Sequence, residues 1–281
     1  MTFSIVAADP EANEVGVAVQ SKFLACAALV SWARGGVGAV ATQAFAEVTY
    51  GRRGLDLLGE GAEPHDVIGR LTEDDPMRGQ RQVGIVDARG RSASYTGAEC
   101  FEHASSVTGP NFACQGNILA SDEVVPAMAR SFEDTKGMPL AERMLFALRA
   151  AQREGGDRRG QEAAGLYVAK PGGGYGGNHD RHVDLRVDHH DEPIEELARL
   201  LELHHLYFQR PEESELIEVD DALEAEIASH LETLGKLREH ADVWADLAEY
   251  MAWENLEERW AGPGRIDPRV LEYVRRQARA G

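Results

Sequence analysis

The fold is decided by two stretches near the start of the chain, Phe3-Ser4-Ile5-Val6-Ala7-Ala8 and Glu14-Val15-Gly16-Val17-Ala18-Val19-Gln20. Asp9-Pro10 between them is a turn signal, and the second stretch alternates valine with smaller or polar residues. Such alternation is typical of a strand that is buried on one face. The two stretches therefore predict a β-hairpin whose first strand begins at the second residue of the chain.

The remaining elements come in groups. Strands are predicted at 35–42, 82–87, 91–95, 165–169 and 182–187, and helices at 50–58, 64–71, 122–133, 139–153 and 193–208. Antiparallel strands with helices grouped in pairs favour a layered α+β domain over a doubly wound parallel sheet. The acidic stretch that starts at Pro211 is a natural boundary. We therefore predict one domain at 1–211 and a small acidic helical module at 212–281.

Composition restricts the classes of partner. The 281 residues include 48 acidic and 29 basic side chains, a net charge of −19. Such a surface repels phosphate backbones and anionic lipids, so neither nucleic acid nor a membrane is expected as a partner. Three cysteines without a CxxC pair suit a reducing compartment, and the N-terminus has neither a basic leader nor a long apolar core. A cytoplasmic location is expected, and so is assembly into a homo-oligomer.

Thr2 is the candidate nucleophile. A small second residue lets methionine aminopeptidase remove Met1, and the exposed threonine would then carry its own base, an α-amine with a pKa of ~8. Lys22 follows the second strand of the hairpin, and antiparallel pairing returns it near Thr2. A lysine there would lower the pKa of the amine. The plain alternatives are an ordinary Met-Thr start and a surface lysine at a strand end.

Several long motifs accompany these residues. They lie at 1–7, 16–25, 36–44, 115–117, 155–160, 173–177 and 180–186. Together they resemble the DUF1028 family of bacteria and archaea over about the first 210 residues. That family is placed among the N-terminal-nucleophile hydrolases, so the resemblance implies a four-layer αββα sandwich. It implies no substrate. One departure stands out, because Gln161-Glu162 occupies the place where a Gln-Ser pair is expected.

Other polar residues fall at strand ends, where loops converge. The amides of Gln43, Gln115 and Asn117 are candidates for holding a substrate or an oxyanion. Asp157 and Arg158 lie in a Gly-Gly turn and are candidates for binding a substrate carboxylate or orienting the amine. The alternative is that this turn only joins a helix to a strand.

Two further features were weighed. The stretch 179–191 is rich in histidine and aspartate, but its alternation with Val183, Leu185 and Val187 is that of a half-exposed strand, so no metal site is predicted. The C-terminal residues 253–260 and 266–273 resemble a small module assigned to peptidoglycan binding. We interpret that module as serving packing, oligomerisation or recognition of a muropeptide-like fragment. A helical cap that only adds core is the alternative.

These observations predict an amidohydrolase that acts on a C–N bond of a small polar metabolite or peptide fragment and needs no cofactor. The first alternative is a non-catalytic protein of the same fold that binds a ligand or cell-wall fragment. The second is a metal-dependent hydrolase that uses the histidine- and aspartate-rich stretch.

Overall fold

The computed structural model describes residues 2–238 and 242–280, which contain twelve strands and nine α-helices. The chain divides into two compact units, Met1–Leu200 and Leu201–Gly281. The N-terminal unit contains, in chain order, β1 (Thr2–Asp9), β2 (Glu14–Ser21), α1 (Ala27–Val30), β3 (Ser31–Arg34), β4 (Gly38–Ala44), α2 (Thr49–Gly59), α3 (Pro64–Thr72), β5 (Arg81–Asp87), β6 (Ser92–Thr96), β7 (Ser105–Gly109), β8 (Phe112–Asn117), α4 (Val124–Asp134), α5 (Leu140–Arg153), β9 (Ala163–Ala169) and β10 (Arg181–Val187). Helix α6 (Pro193–Phe208) continues into the second unit.

Two antiparallel sheets form the N-terminal unit. The first has the strand order β10-β9-β2-β1-β8-β7, and the second has the order β3-β4-β5-β6. The predicted hairpin is confirmed: β1 pairs with β2 so that Phe3 lies opposite Gln20. On its other side β1 pairs with β8, which places Thr2 opposite Asn117. The strand that begins at Thr2 is therefore central in the larger sheet.

The sheets contact each other face to face, and helices cover their outer faces. Helices α4 and α5 pack on the first sheet, while α2 and α3 pack on the second. Alternate residues of β2, such as Val17 and Val19, meet Ala39 and Ala41 of β4 in the apolar core between the sheets. The expected α+β class with antiparallel sheets is confirmed.

The C-terminal unit has a core of its own. Its elements are β11 (Ile217–Glu218), α7 (Asp221–Thr233), α8 (Val243–Trp253), β12 (Arg265–Ile266) and α9 (Pro268–Ala280). Leu231, Leu247 and Val274 are fully buried there. The two compact units divide within α6, and Leu206 and Tyr207 at its end pack against this C-terminal core.

Charged side chains also contribute to the interior of the second unit. Arg259 and Asp267 form an ion pair in which both residues are about 2% exposed. The Arg259 guanidinium also donates to the main-chain carbonyls of His205 and Leu206, which ties the end of α6 to this unit. None of the described helices combines the length and apolar character that crossing a membrane requires.

Candidate functional site

Thr2 is the first residue of β1, so it lies at the end of a central strand of the first sheet. Its hydroxyl Oγ1 is 3.1 Å from Oγ of Ser21, the last residue of β2, and both side chains are buried. The hairpin register produces this contact, since Phe3 opposite Gln20 sets Thr2 beside Ser21. Sequence reasoning did not select Ser21, although its place immediately before Lys22 pointed to it. The predicted loss of Met1 concerns a residue outside the described part of the chain.

A buried network of amides joins the two sheets beneath Thr2. Ser4 Oγ donates to Gln43 Oε1 over 2.6 Å, and Gln43 Nε2 donates to Gln82 Oε1 over 2.8 Å. Gln82 Oε1 also accepts a bond of 2.9 Å from Asn117 Nδ2, and Gln82 Nε2 donates to the carbonyl of Gly116. Gln82 is therefore the centre of the network, and sequence reasoning missed it.

The network determines what the three predicted amides can contact. Gln115 Nε2 donates to Ser4 Oγ over 2.6 Å, and Gln115 is fully buried. A Cβ atom added at Gly84 of β5 would lie 2.0 Å from Gln115 Oε1, so this glycine provides the space for the amide. Asn117 is also occupied by Gln82. These placements favour a positioning role for Gln115. Gln43 lines a cavity beside Thr2, and Asn117 lines a second cavity that shares Phe45 with it.

Lys22 directly follows Ser21, and its ammonium has a carboxylate partner. Nζ is 2.9 Å from both Glu162 Oε2 and the main-chain oxygen of Gln161. The other carboxylate oxygen of Glu162 is 2.5 Å from His189 Nδ1. The bonds from Lys22 and then from His189 lower the pKa of Glu162. The sequence departure at Glu162 thus supplies the anion that holds Lys22.

Asp157 and Arg158 have different surroundings. Asp157 is about 2% exposed, and its Oδ2 accepts a bond of 2.9 Å from the main-chain N–H of Lys22. It therefore fixes the backbone that carries Ser21 and Lys22. The Arg158 guanidinium is half exposed and is directed toward the Leu119 carbonyl and Glu102. The structure thus brings Asp157, but not the Arg158 side chain, into the bonding around Lys22.

A cavity of about 240 Å³ opens beside Thr2. Thr2, Ser21 and Gln43 form its polar part. The rest of its lining is apolar and comes from α1 and the loops after β2 and β4; it includes Phe23, Leu29, Val30 and Phe45. Cys26 also lines the cavity, and burial raises the pKa of its thiol to about 12, so the thiol stays protonated at neutral pH. A threonine hydroxyl and an uncharged pocket are therefore adjacent.

Backbone strain is concentrated at the ends of the strands around this cavity. Seven described non-glycine residues have positive φ, and four of them are Asn or His, which tolerate it best. The other three are Ala25 (φ 51°), Ala44 (φ 69°) and Ile118 (φ 51°). They fall in the loop after β2, at the end of β4 and directly after β8, beside Ser21, Gln43 and Asn117. Residues held in such conformations cost about 1–3 kcal/mol each and cluster at functional sites.

The loop that carries Phe45 is anchored by charge. The Arg81 guanidinium donates to the Phe45 carbonyl and lies 5.3 Å from the centre of the Phe45 ring. Arg81 in turn bonds Asp75 over 2.8 Å, and Tyr50 donates its hydroxyl to the same carboxylate over 2.7 Å. These two bonds lower the pKa of Asp75 to about 2, and the bond from Arg81 has the larger effect. The Phe45 side chain is 58% exposed. The main chain that carries it is fixed by the bond from Arg81.

The histidines and aspartates at 179–191 do not converge. Within residues 2–238 and 242–280, no group of three or more His, Cys, Asp or Glu side chains is placed to hold a metal ion. His179 and His190 each accept a bond from a nearby main-chain N–H, and His189 contacts Glu162. The metal hypothesis therefore gains no support from the arrangement of these residues.

The fold and the site define an α+β protein whose central strand presents a threonine hydroxyl to an apolar cavity. The model described as "Family of unknown function (DUF1028)" matches residues 2–197, and the chain belongs to this family. A second model, described as "Putative peptidoglycan binding domain", matches residues 207–274. Both matches agree with the resemblances read from the sequence.

One solved structure of the same family is similar to this chain. The crystal structure of protein SPO2555 from Silicibacter pomeroyi, assigned to DUF1028, is 30% identical in sequence, with a TM-score of 0.65. The match covers 73% of this chain and 89% of the other. Among curated proteins, none matches the chain.

Proposed function

We propose that the N-terminal unit is an amidohydrolase of the N-terminal-nucleophile class, with a four-layer αββα arrangement and with Thr2 as nucleophile after removal of Met1. One observation carries the proposal: the Thr2 hydroxyl is bonded to Ser21 in the wall of a cavity that both residues line. The antiparallel sheets packed between helix pairs support the class assignment. The family description itself specifies no activity.

The proposed reaction has two steps. Thr2 Oγ1 attacks the carbonyl carbon of a C–N bond while the free α-amine of Thr2 takes the hydroxyl proton, which then passes to the departing amine. Water next attacks the ester carbonyl carbon, the bond to Thr2 Oγ1 breaks, the same amine passes the proton of the water to Oγ1, and the acid is released. Lys22 keeps the α-amine unprotonated through its positive charge, and Ser21 holds the Thr2 hydroxyl in line.

Gln43 is the side chain best placed to stabilise the oxyanion. It lines the cavity beside Thr2, and one N–H of its amide is occupied by Gln82 at 2.8 Å. The other contacts of the amide nitrogen, to the main-chain oxygens of Thr2 and Gln115, are both 3.4 Å long. Such long bonds are weak, so a developing negative charge would compete for this donor.

The test is the intact mass of untagged protein before and after treatment with an electrophile selective for N-terminal threonine. Loss of Met1 and one adduct that is absent from Thr2→Ala are expected. The Thr2→Ser variant is the matched control, because it keeps a hydroxyl and an α-amine and should still form the adduct. A retained Met1, or a free Thr2 that does not react, would overturn the proposal.

A second candidate function is ligand binding without catalysis. The observation that favours it is the Lys22–Glu162 ion pair, since a neutralised lysine lowers the pKa of a neighbouring amine less. In the C-terminal unit, Trp253 is 73% exposed with Lys236 Nζ 4.6 Å from its ring centre, which suits recognition of a sugar or peptide fragment. Saturable binding of a muropeptide by a protein whose Thr2 is unreactive would establish this alternative.

A further inference from the structure

The cavity beside Thr2 indicates the chemistry of one half of the substrate. This step rests on the proposed function, because it takes the cavity as the place where the substrate lies when Thr2 attacks. The sequence alone suggested a small polar substrate. The side chains around the cavity point to a different character for the group next to the scissile carbonyl.

The described lining residues offer nothing to pair with a charge. Apart from Thr2, Ser21 and Gln43 the lining is apolar or a protonated thiol, and it includes no acidic or basic side chain. A charged group that entered would lose its hydration without gaining an ion pair, which strongly disfavours binding. An uncharged aliphatic or aromatic group would instead bury its surface against Val30, Leu29 and Phe45.

The volume sets the size of that group. A cavity of about 150 Å³ with apolar walls accommodates benzene, whereas this cavity measures about 240 Å³. A branched aliphatic chain of four to six carbons or a single aromatic ring therefore fits. Phe23 and Phe45, which line it, are each more than half exposed, so the apolar surface continues beyond the cavity.

The backbone indicates that this shape is maintained. Ala25 and Ala44 have positive φ and stand at the two loops that form the wall. The first loop is held by a bond from Ala25 N to the Asp188 carbonyl, and the second by a bond from Phe45 N to the Gln80 carbonyl. A rigid pocket selects by shape and polarity more sharply than a mobile one.

We infer that the cavity is an acyl-group subsite, and that the substrate is an amide whose acyl part is an uncharged, medium-sized aliphatic or aromatic group. A polar portion of the substrate would then lie on the amine side of the scissile bond. The inference concerns the acyl half alone.

The test uses two amides of nearly identical shape. N-(4-nitrophenyl)-4-methylpentanamide ends in an isopropyl group, and N-(4-nitrophenyl)succinamic acid ends in a carboxylate of the same outline, ionised at pH 7. We expect kcat/KM to favour the 4-methylpentanoyl compound by at least about 100-fold. Binding of both compounds to the Thr2→Ala variant, measured by NMR titration, should show the same preference without turnover.

Leu29→Lys supplies a matched protein variant. Leu29 lines the cavity and is 38% exposed, so a lysine there can keep contact with water. It should raise the succinyl to 4-methylpentanoyl ratio, in cleavage or in binding, by at least about tenfold through its new positive charge. Leu24→Lys adds the same charge at an exposed residue outside the lining and should change the ratio by less than about twofold.

The outcomes separate the two proposals. Binding of the 4-methylpentanoyl compound with cleavage of neither amide would support the subsite and count against the amidohydrolase. Equal or better binding of the succinyl compound, binding of neither, or an equal effect of Leu24→Lys and Leu29→Lys would overturn the subsite.

Discussion

Lys22 Nζ lies 2.9 Å from Glu162 Oε2, so the cation that follows the Thr2–Ser21 contact is already paired with an anion. His189 contacts the same carboxylate. The pair is partly exposed, with 41% of the Lys22 side chain and 20% of the Glu162 side chain accessible. The charge around Lys22 therefore depends on both partners and on the salt concentration.

Glu162→Gln should make Thr2 reactive at lower pH. The substitution removes a negative charge beside Lys22, and the stronger positive potential disfavours the protonated α-amine, so the pKa of that amine falls. The midpoint of the pH profile for modification of Thr2 should move down by about half a pH unit. Glu195→Gln, which breaks the Arg149–Glu195 ion pair, is the control and should leave the midpoint in place. An upward shift in Glu162→Gln would contradict the proposed role of Lys22.

Gln82→Met should destabilise the N-terminal unit by about 3 kcal/mol. The substitution leaves the buried amides of Gln43 and Asn117 and the Gly116 carbonyl without their partner, and each unsatisfied buried group costs about 1–3 kcal/mol. Urea unfolding followed by circular dichroism measures the loss. Gln80→Met is the control, since Gln80 is half-buried and its side chain bonds Glu99; a change within about 0.5 kcal/mol is expected there. Equal effects would show that the network contributes little.

The sequence predicted the elements better than it predicted their contacts. The hairpin and helices α4 and α5 carry clear periodicities, and the structure confirms them. Gln82 was missed because an alternating strand does not reveal which of its faces meets a second sheet. Helix α1 was missed because four residues, Ala27–Val30, are too few to show a helical period, yet this helix contributes Leu29 and Val30 to the cavity.

The site was predictable to the extent that it depends on local register. Antiparallel pairing placed Ser21 beside Thr2, whereas the bonds from Lys22 to Glu162 and from Lys22 N to Asp157 join positions far apart in sequence. Nothing in the spacing of one sequence specifies such contacts. The apolar lining was equally hidden, because Phe23 and Phe45 lie in loops without periodicity.

Asp75→Asn should reduce the loss of unfolding free energy that occurs when the pH falls from about 4 to about 2. The folded pKa of Asp75, about 2, is below its unfolded value near 3.8, so its ionised form stabilises the protein above the unfolded pKa. That contribution is lost as the pH falls from about 4 through about 2. The difference in unfolding free energy between wild type and Asp75→Asn should therefore be full at pH 6 and shrink toward pH 2. Urea unfolding at a series of pH values measures it, and a difference that grows on acidification would contradict the assignment.

Arg259→Met should destabilise the C-terminal unit by about 3–5 kcal/mol. The variant leaves the Asp267 carboxylate buried without its counter-charge and removes the bonds to the His205 and Leu206 carbonyls. Tryptophan fluorescence during urea unfolding reports on this unit through Trp244, which is buried in its core, and Trp260, which packs against that core. Arg210→Met is the matched control: it breaks an exposed pair with Glu258, for which at most about 1 kcal/mol is expected. A small loss in Arg259→Met would mean that the unit relaxes to hydrate Asp267.

Ser21→Ala should slow the modification of Thr2 by roughly five- to tenfold. The hydrogen bond between the two hydroxyls contributes about 1 kcal/mol to holding Thr2 Oγ1 in one orientation, and its loss lets the side chain rotate. The rate constant for adduct formation by intact mass measures the effect at a fixed pH. Ser21→Thr should restore the rate, because it keeps a hydroxyl beside Thr2. The pH profile of this rate constant separates two roles of Ser21. If Ser21→Ala shifted the midpoint of the profile and left its plateau value unchanged, Ser21 would act on the α-amine and not on the hydroxyl.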